Sequence, residues 1–524
     1  MAQAIFQYGT DHLTAGIALD ICEGRLQGIL NDNAKNKIRE NRNIVEKVVS
    51  NEQVVYGITT GFGPLCTTFI SRESANELQY KLLKSHSVGV GEFIPQDLSK
   101  LMLILKVHAL AKGHSGITLE VIEQIIWHIE NDVIPCVPEQ GSVGASGDLA
   151  PLAHLFLPLI GLGEVHFEGA ILPADQVLSK FNKEPVKLQA KEGLALINGT
   201  QFMAAYAVRI LERLQNCLDS ADIIAAMNIE AMMGSAKPFH QGLHDLRPYQ
   251  GNSYVAKRMR DLLDGSDILK SHEHCEKVQD PYSLRCIPQV HGASRNAWLH
   301  FKETIHTEIN SVTDNPILLD EDNIISGGNF HGQPIALPLD YITLAAAELG
   351  NISDRRIYLS LEGKPDGPPK LLMKETGLNS GFMIPQYTTA ALVTENKSLC
   401  FPASADSIPT SLGQEDHVSM GSISARKAYK VVENLEKILG IELLCAAQGL
   451  NFKKPLKSTP FIEVCHALVR KKIPFRESDE LFTNDLKSVV DIIKNKELAE
   501  KTTKIAQELK IEFKNERHEV FGIY

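Results

Sequence analysis

The sequence predicts a mainly α-helical protein, a long helical bundle with a few short hairpins. Two observations lead to this fold class. Apolar residues recur at three- and four-residue steps over several stretches of roughly 20–30 residues, the period of a helix with one buried stripe. Strand-like runs are few and short. No repeat and no Ser/Pro/Gly-rich linker divides the chain. At about 150 residues per domain the 524 residues correspond to three or four domains, and one large helical subunit fits the length equally well. Such a chain can bury its core without metals or disulfides. The 44% hydrophobic and 22% charged composition excludes disorder.

The most apolar run covers residues 149–162. It holds His154 and two prolines and is shorter than the ~20 residues a membrane-spanning helix needs. Val165-His166-Phe167 and Ala170-Ile171-Leu172 flank Glu168-Gly169 and predict a hairpin. A helix is expected over about 201–233. Trp298, Phe301, Ile305, Ile309 and Val312 mark another, ending near Asp314-Asn315-Pro316. Ile317-Leu318-Leu319 and Ile324-Ile325 predict a second hairpin around an acidic turn. Pro338 and Asp340 should open a further helix, with Asp340 as its N-cap and Ile342, Ala345, Leu349, Ile352 and Leu359 on one stripe. A last long helix is expected over about 423–448.

The formal charge of −11 leaves no electrostatic footprint for nucleic acid or an anionic membrane, so neither is expected as a partner. The first residues, Met1-Ala2-Gln3-Ala4-Ile5-Phe6, show no basic or long apolar leader. The nine cysteines are an odd number without a CxxC, which reads as reduced thiols in a cytoplasmic protein. His272-Glu273-His274-Cys275 looks metal-like, but it lacks the i, i+4 spacing of paired ligands and a second cluster, so it reads as a polar loop and no metal is expected.

Glycines concentrate at 57–63, 141–147 and 327–332, where tight turns can bring chemistry together. Gly141-Ser142-Val143-Gly144-Ala145-Ser146-Gly147-Asp148 carries neither a Walker A lysine nor a GxGxxG fingerprint. An isolated Ala-Ser-Gly is ordinarily a helix-entry loop. It can also cyclise: with no side chain on Gly147, its nitrogen can approach the carbonyl of Ala145. Loss of one water closes a five-membered ring, and loss of a second from Ser146 leaves an exocyclic alkene. That product is an electrophile no standard side chain supplies.

The whole segment through Leu149-Ala150-Pro151-Leu152 resembles the signature of the ammonia-lyases that carry a methylidene-imidazolone (MIO) group. The resemblance runs from Tyr56 to about Gly421, through Leu196-Ile197-Asn198-Gly199-Thr200, Gln279-Asp280-Pro281-Tyr282-Ser283-Leu284-Arg285, Gly327-Gly328-Asn329-Phe330-His331 and Gln414-Glu415-Asp416-His417. It implies an MIO group made from Ala145, Ser146 and Gly147 with no external cofactor, and a homotetramer with shared active sites. The group would sit in an N-terminal region, residues 1–200, ahead of a central and C-terminal helical bundle, 201–524. The resemblance assigns Tyr56 as the general base. A tyrosine with a lowered pKa is competent for that role, whereas a core tyrosine merely satisfies its hydroxyl. It assigns Arg285 to the substrate carboxylate, which a guanidinium fork meets bidentately. Tyr282, Gln279 and Asn198 match positions around the electrophile, where they can polarise the ring carbonyl and hold substrate.

Members of the family act on histidine, tyrosine or phenylalanine, some as aminomutases. Ser85-His86 and Gln414-Glu415-Asp416-His417 resemble the branch acting on L-histidine, giving trans-urocanate and ammonia. A carboxylate at Glu415 suits an imidazole and is unpaired against a phenyl ring. Phe330 could pack on the substrate ring or in the core. Gly332-Gln333, Pro385, Tyr387 and Leu412-Gly413 depart from the usual histidine pattern and concern pocket detail. A catalytically dead scaffold has no use for this set, and no fumarase-type Gly-Ser-Ser-x-Met-Pro loop is present.

Overall fold

The helix Gln201–Ala231 is the axis of the molecule. All of its residues except Arg209, Arg213 and Asp219 are buried, so it is packed on every side. Its run of Ala, Leu, Ile and Met, with neither Gly nor Pro, gives a stiff helix that tolerates this. The computed structural model describes residues 5–274, 277–365, 367–510, 520–522 and 524. Around the axis pack Ile287–Ile309, Gln333–Ser360 and Gly421–Asn451, and the N-terminal helix Gln96–Leu110 lies against its other side. One hydrophobic cluster runs from Phe6 to Phe521 and joins both halves of the chain.

One layer of charges inside the bundle is paired. Arg258 Nε and Arg295 Nη2 donate to Asp222 Oδ2 at 3.0 and 2.6 Å, and His291 Nδ1 lies 2.8 Å from Oδ1. Burial would raise the Asp222 carboxyl, but Arg295 and His291 hold it far below the usual range. Breaking such a pair leaves a buried charge uncompensated, so the layer fixes how the helices register.

Both expected hairpins form. Glu164–Phe167 pairs with Ala170–Pro173, and a third strand, Ile134–Pro135, extends that sheet. Ile317–Leu318 pairs with Ile324–Ile325. Two short pairings were not foreseen: parallel Ile5–Gln7 with Gln27–Ile29, and Val90–Phe93 with Pro138–Gln140.

Two helix boundaries differ from expectation. Ile287–Ile309 stops before Asp314 because Asn310 caps it and turns to Leu13, accepting from its N–H at 2.9 Å and donating to its carbonyl at 2.7 Å. Pro338 does not open its helix. The helix starts at Gln333, with Pro334 in the first turn where an N–H is not required, and runs through Pro338. Asp340 is therefore no cap. Its carboxylate accepts from Ser404 N at 2.8 Å, Ser424 Oγ at 2.9 Å and Lys427 Nζ at 3.2 Å.

Candidate active site

The segment from Gly141 to Asp148 leads from the strand Pro138–Gln140 into the helix Leu149–Phe156. Ser146 has φ +51° and Gly147 φ +81°. The left-handed region costs a non-glycine residue ~1–2 kcal/mol, so the surroundings must hold Ser146 there. A Cβ on Gly147 would stand 2.0 Å from the Gly199 carbonyl oxygen, so only glycine permits this approach. Gly199 N donates to the Ser146 carbonyl at 3.3 Å, and Asp148 N donates to the Gly199 carbonyl at 2.7 Å. From the C-terminal half, Met420 N donates to Val143 O at 3.0 Å and Ser422 Oγ to Ser142 O at 2.6 Å. Asp148 is fully buried and accepts from Ser142 Oγ at 3.1 Å and Met203 N at 3.1 Å. Burial pushes its carboxyl up to about 7.

A cavity of about 830 Å³ opens above this segment, and Tyr56, His86, Ser146, Asn198 and Glu415 all line it. Five candidates spread over some 360 positions of sequence thus meet in one place. Glu415 Oε1 accepts from Ser146 Oγ at 3.2 Å, while Oε2 accepts from Thr410 Oγ1 at 3.1 Å and Ser411 Oγ at 2.8 Å. His86 ends the helix Arg72–His86. Its Nδ1 lies 2.9 Å from the Leu82 carbonyl, which can only accept, so Nδ1 carries the proton and Nε2 is left as an acceptor. Burial lowers its pKa, with the Leu82 carbonyl and Glu415 opposing, so the ring is neutral near pH 7.

Two residues differ from their expected chemistry. Tyr56 lies in a turn, and its hydroxyl accepts from Gly63 N at 3.2 Å. Its pKa is raised, not lowered: burial drives it up and Glu415 adds to this, against the Gly63 N–H. Asn198 has both protons of Nδ2 engaged, with Asp314 Oδ1 at 3.1 Å and the Asn315 carbonyl at 2.8 Å. No amide proton is left for a ring carbonyl, and Oδ1 remains as an acceptor.

Gln279, Tyr282, Arg285 and Phe330 do not line the cavity. Gln279 is exposed, Phe330 half-buried, and Tyr282 is 71% exposed with the Arg285 guanidinium 4.5 Å from its ring centre. Arg285 Nε is buried and has no hydrogen-bond partner among the described residues. Gly332 packs against Met203 and Ser419: a Cβ there would meet Met203 Cε at 2.7 Å and Ser419 Oγ at 2.8 Å. That contact accounts for glycine at one of the departing positions. Cys275 lies outside the described residues. His272 has both ring nitrogens on backbone carbonyls, of Ile268 at 2.8 Å and Gly234 at 2.9 Å. Among the described residues no cluster suited to a metal occurs, and no helix is long and apolar enough to cross a membrane.

Thr410 and Ser411, which orient Glu415, escaped the sequence reading, as did the buried Lys106, Lys191 and Asp314 behind Asn198. Hydroxyls in a loop and lysines in a helical run carry no signal until the tertiary contacts are known.

Residues 13–471 match the aromatic amino acid lyase family. Histidine ammonia-lyase of Natranaerobius thermophilus is 46% identical over 92% of this chain and 95% of its own. The crystal structure of histidine ammonia-lyase from Trypanosoma cruzi superposes with a TM-score of 0.90 at 39% identity, covering 99% of this chain and 98% of that one. Tyrosine aminomutase from Streptomyces globisporus superposes equally well, TM-score 0.90, at 34% identity over 96% and 99% of the two chains.

Proposed function

The chain belongs to the aromatic amino acid lyase family, and from that premise we infer that it is a carbon–nitrogen lyase acting on L-histidine, releasing ammonia and leaving trans-urocanate. The observation that carries the choice of substrate is the convergence of Glu415 and neutral His86 on the cavity that holds Ser146. Together they present hydrogen-bond acceptors to an imidazole, which has ring N–H groups to give. A phenyl ring has none, and burying it against a carboxylate leaves that charge unpaired.

The residues fit an MIO group. Ser146 and Gly147 are held in left-handed conformations, and Gly147 lies in a cradle that a Cβ would fill. Ala145, Ser146 and Gly147 would form it with loss of two waters, and it would supply an electrophilic methylidene carbon. Loss of the Ser146 hydroxyl also removes the donor to Glu415 Oε1, which frees that oxygen for the substrate ring. Gly199 N–H donates to the Ser146 carbonyl, where it would stabilise negative charge drawn onto that oxygen. Asn198 Oδ1 can accept from the substrate ammonium. Tyr56 lines the same cavity and, in this reading, takes a proton from the substrate once its phenol is brought down by a cation.

That cation and the carboxylate site come, in this reading, from further copies of the chain in a homotetramer. Arg285, Tyr282, Gln279 and Phe330 lie away from the cavity of their own chain, and Leu337, Tyr341 and Leu344 form an exposed apolar stripe on Gln333–Ser360. The eight cysteines among the described residues are free thiols, which supports a cytoplasmic setting.

Incubating the purified chain separately with L-histidine, L-tyrosine and L-phenylalanine, and following the conjugated product by ultraviolet absorbance, tests the reading. Turnover of histidine far above the other two is expected. Preference for tyrosine, or conversion to a β-amino acid, would move the chain to another branch of the family.

A further inference from the structure

Lys106 sits in the middle of the helix Gln96–Leu110 and is 2% exposed. Lysine is almost never so deeply buried without a partner. Its Nζ donates to the backbone carbonyl of Asn198. The nearby carboxylate, Asp314, is already paired with Lys191 Nζ at 2.7 Å through Oδ2 and with the Asn198 side chain through Oδ1. The carbonyl of Asn198 is thus the group to which Lys106 is directed.

We propose that Lys106 is a positioning residue for Ala145-Ser146-Gly147, acting through the peptide between Asn198 and Gly199. The inference rests on the reading of the site given above. A peptide group is planar and its C=O and N–H point in opposite directions, so holding the oxygen sets the direction of the N–H. On the Asn198 side the oxygen takes the Lys106 ammonium. On the Gly199 side the N–H donates to the Ser146 carbonyl. At 3.3 Å that second bond is long for N–H···O, so its strength depends on alignment. Donation to one end of a peptide also polarises the other, which strengthens a bond made there. The chain of contacts is therefore Lys106 Nζ–H to Asn198 C=O, then Gly199 N–H to Ser146 C=O.

The flanking peptides are tied, Asn198 N to Leu194 O at 3.0 Å and Asp148 N to Gly199 O at 2.7 Å, but neither bond is made by the oxygen or the N–H of the Asn198–Gly199 peptide itself. Gly199 has φ +122°, a conformation open to glycine, so its own backbone preference does not fix the plane. The Asn198 side chain is tied to Asp314 and Asn315, which anchors the residue but not the direction of its carbonyl. Burial pulls the Lys106 ammonium down to about 7, with Asp314 opposing and Lys191 assisting. Charged or neutral, the amine keeps N–H groups to donate.

The test uses the full chain as wild type, Lys106→Met and Lys106→Arg. Three quantities are read for each: the mass of the purified chain, kcat and KM for L-histidine, and the thermal unfolding transition. Methionine fills the space without a donor, and arginine restores one. Lys106→Met is expected to unfold cooperatively, with fewer chains two waters lighter than the sequence mass. Its kcat should fall roughly 10–100-fold, the usual effect of removing an outer partner of a reactive group. KM should hardly change, and Lys106→Arg should recover both mass deficit and kcat. Wild-type mass and kcat in Lys106→Met would overturn the proposal, as would a loss that arginine fails to repair. If Lys106→Met does not fold, Lys106→Leu, which also lacks a donor, replaces it: a lowered kcat and mass deficit that Lys106→Arg recovers support the proposal, and wild-type values overturn it. Failure of the underlying reading is distinguishable, because then the wild-type chain itself would have the full sequence mass.

Discussion

Replacing Glu415 by glutamine isolates the one charge that the proposed reading puts at the substrate ring. The side chain keeps its size, and the question is which way the amide turns. Two hydroxyl donors, Thr410 Oγ1 and Ser411 Oγ, point at Oε2, whereas the Oε1 position has the Ser146 hydroxyl, which the proposed dehydration would remove. The amide oxygen therefore settles against Thr410 and Ser411, and the NH2 faces the substrate. The charge-assisted bond to imidazole, about 1.5–3 kcal/mol against about 0.5–1.5 kcal/mol for a neutral one, is lost, a difference of about 1–1.5 kcal/mol. With the imidazole N–H held toward this position, donor then faces donor and a buried N–H is left unpaired, which costs about 1–3 kcal/mol more. The total of about 2–4.5 kcal/mol corresponds to a fall in kcat/KM for histidine of roughly 30- to 2000-fold. The assay compares kcat/KM for histidine and tyrosine in wild type and Glu415→Gln, with the mass deficit checked in both. A histidine loss below about 5-fold, or an equal loss for both substrates, would refute the assignment of Glu415 to the imidazole.

Other perturbations address other parts of the site. Ser146→Ala has no hydroxyl to eliminate, so its mass should match the sequence plus one substitution and its activity should fall by several orders of magnitude; near-normal turnover would remove the electrophile from the scheme. Tyr56→Phe should lower kcat by about 10²–10⁴-fold with the mass deficit intact, as for loss of a general base, and a change confined to KM would make Tyr56 a binding residue. Burial holds His108, His128, His306 and His466 at a pKa of about 4. Unfolded they titrate near 6.5, so as pH falls from about 6.5 to about 4 the unfolded chain binds protons that the folded chain does not, and these groups lower stability. Asp148 and Glu230, raised by burial to about 7, act in the opposite sense over the same window but are fewer. Tm should therefore fall on acidification through that window, and a rise would contradict the buried neutral state of these rings.

The long helices were legible because burial imposes period. The expected 201–233 and 423–448 stretches became Gln201–Ala231 and Gly421–Asn451. Boundaries were less so, since the contacts that set them are tertiary: Asn310 ends a helix by bonding to Leu13, almost 300 residues away in sequence. Pro338 read as a start signal because local rules do not register that a buried helix can absorb one missing hydrogen bond. At the site, the meeting of Tyr56, His86, Ser146, Asn198 and Glu415 in one cavity matches positions quoted from the sequence. The electrostatic sense at Tyr56 and the orientation of the Asn198 amide did not follow from residue type. Each depends on neighbours, Gly63 and Glu415 in one case and Asp314 and Asn315 in the other.

The fastening of the Gly141–Asp148 segment to the C-terminal half has a consequence for biosynthesis. The hydrogen bond from Ser146 to Glu415 spans 269 positions, and that from Ser422 to Ser142 spans 280. A ribosome adding about 5–20 residues per second needs roughly a quarter of a minute to a minute to make that much chain. Throughout that interval Ser146 keeps its hydroxyl away from Glu415, and the strained backbone around it lacks the residues that hold it. Dehydration that depends on this packing would be postponed until the chain through Ser422 has been made. On the proposed reading, the nascent polypeptide would pass cellular thiols and amines as an ordinary serine peptide, and would become reactive to nucleophiles only once its own fold encloses it.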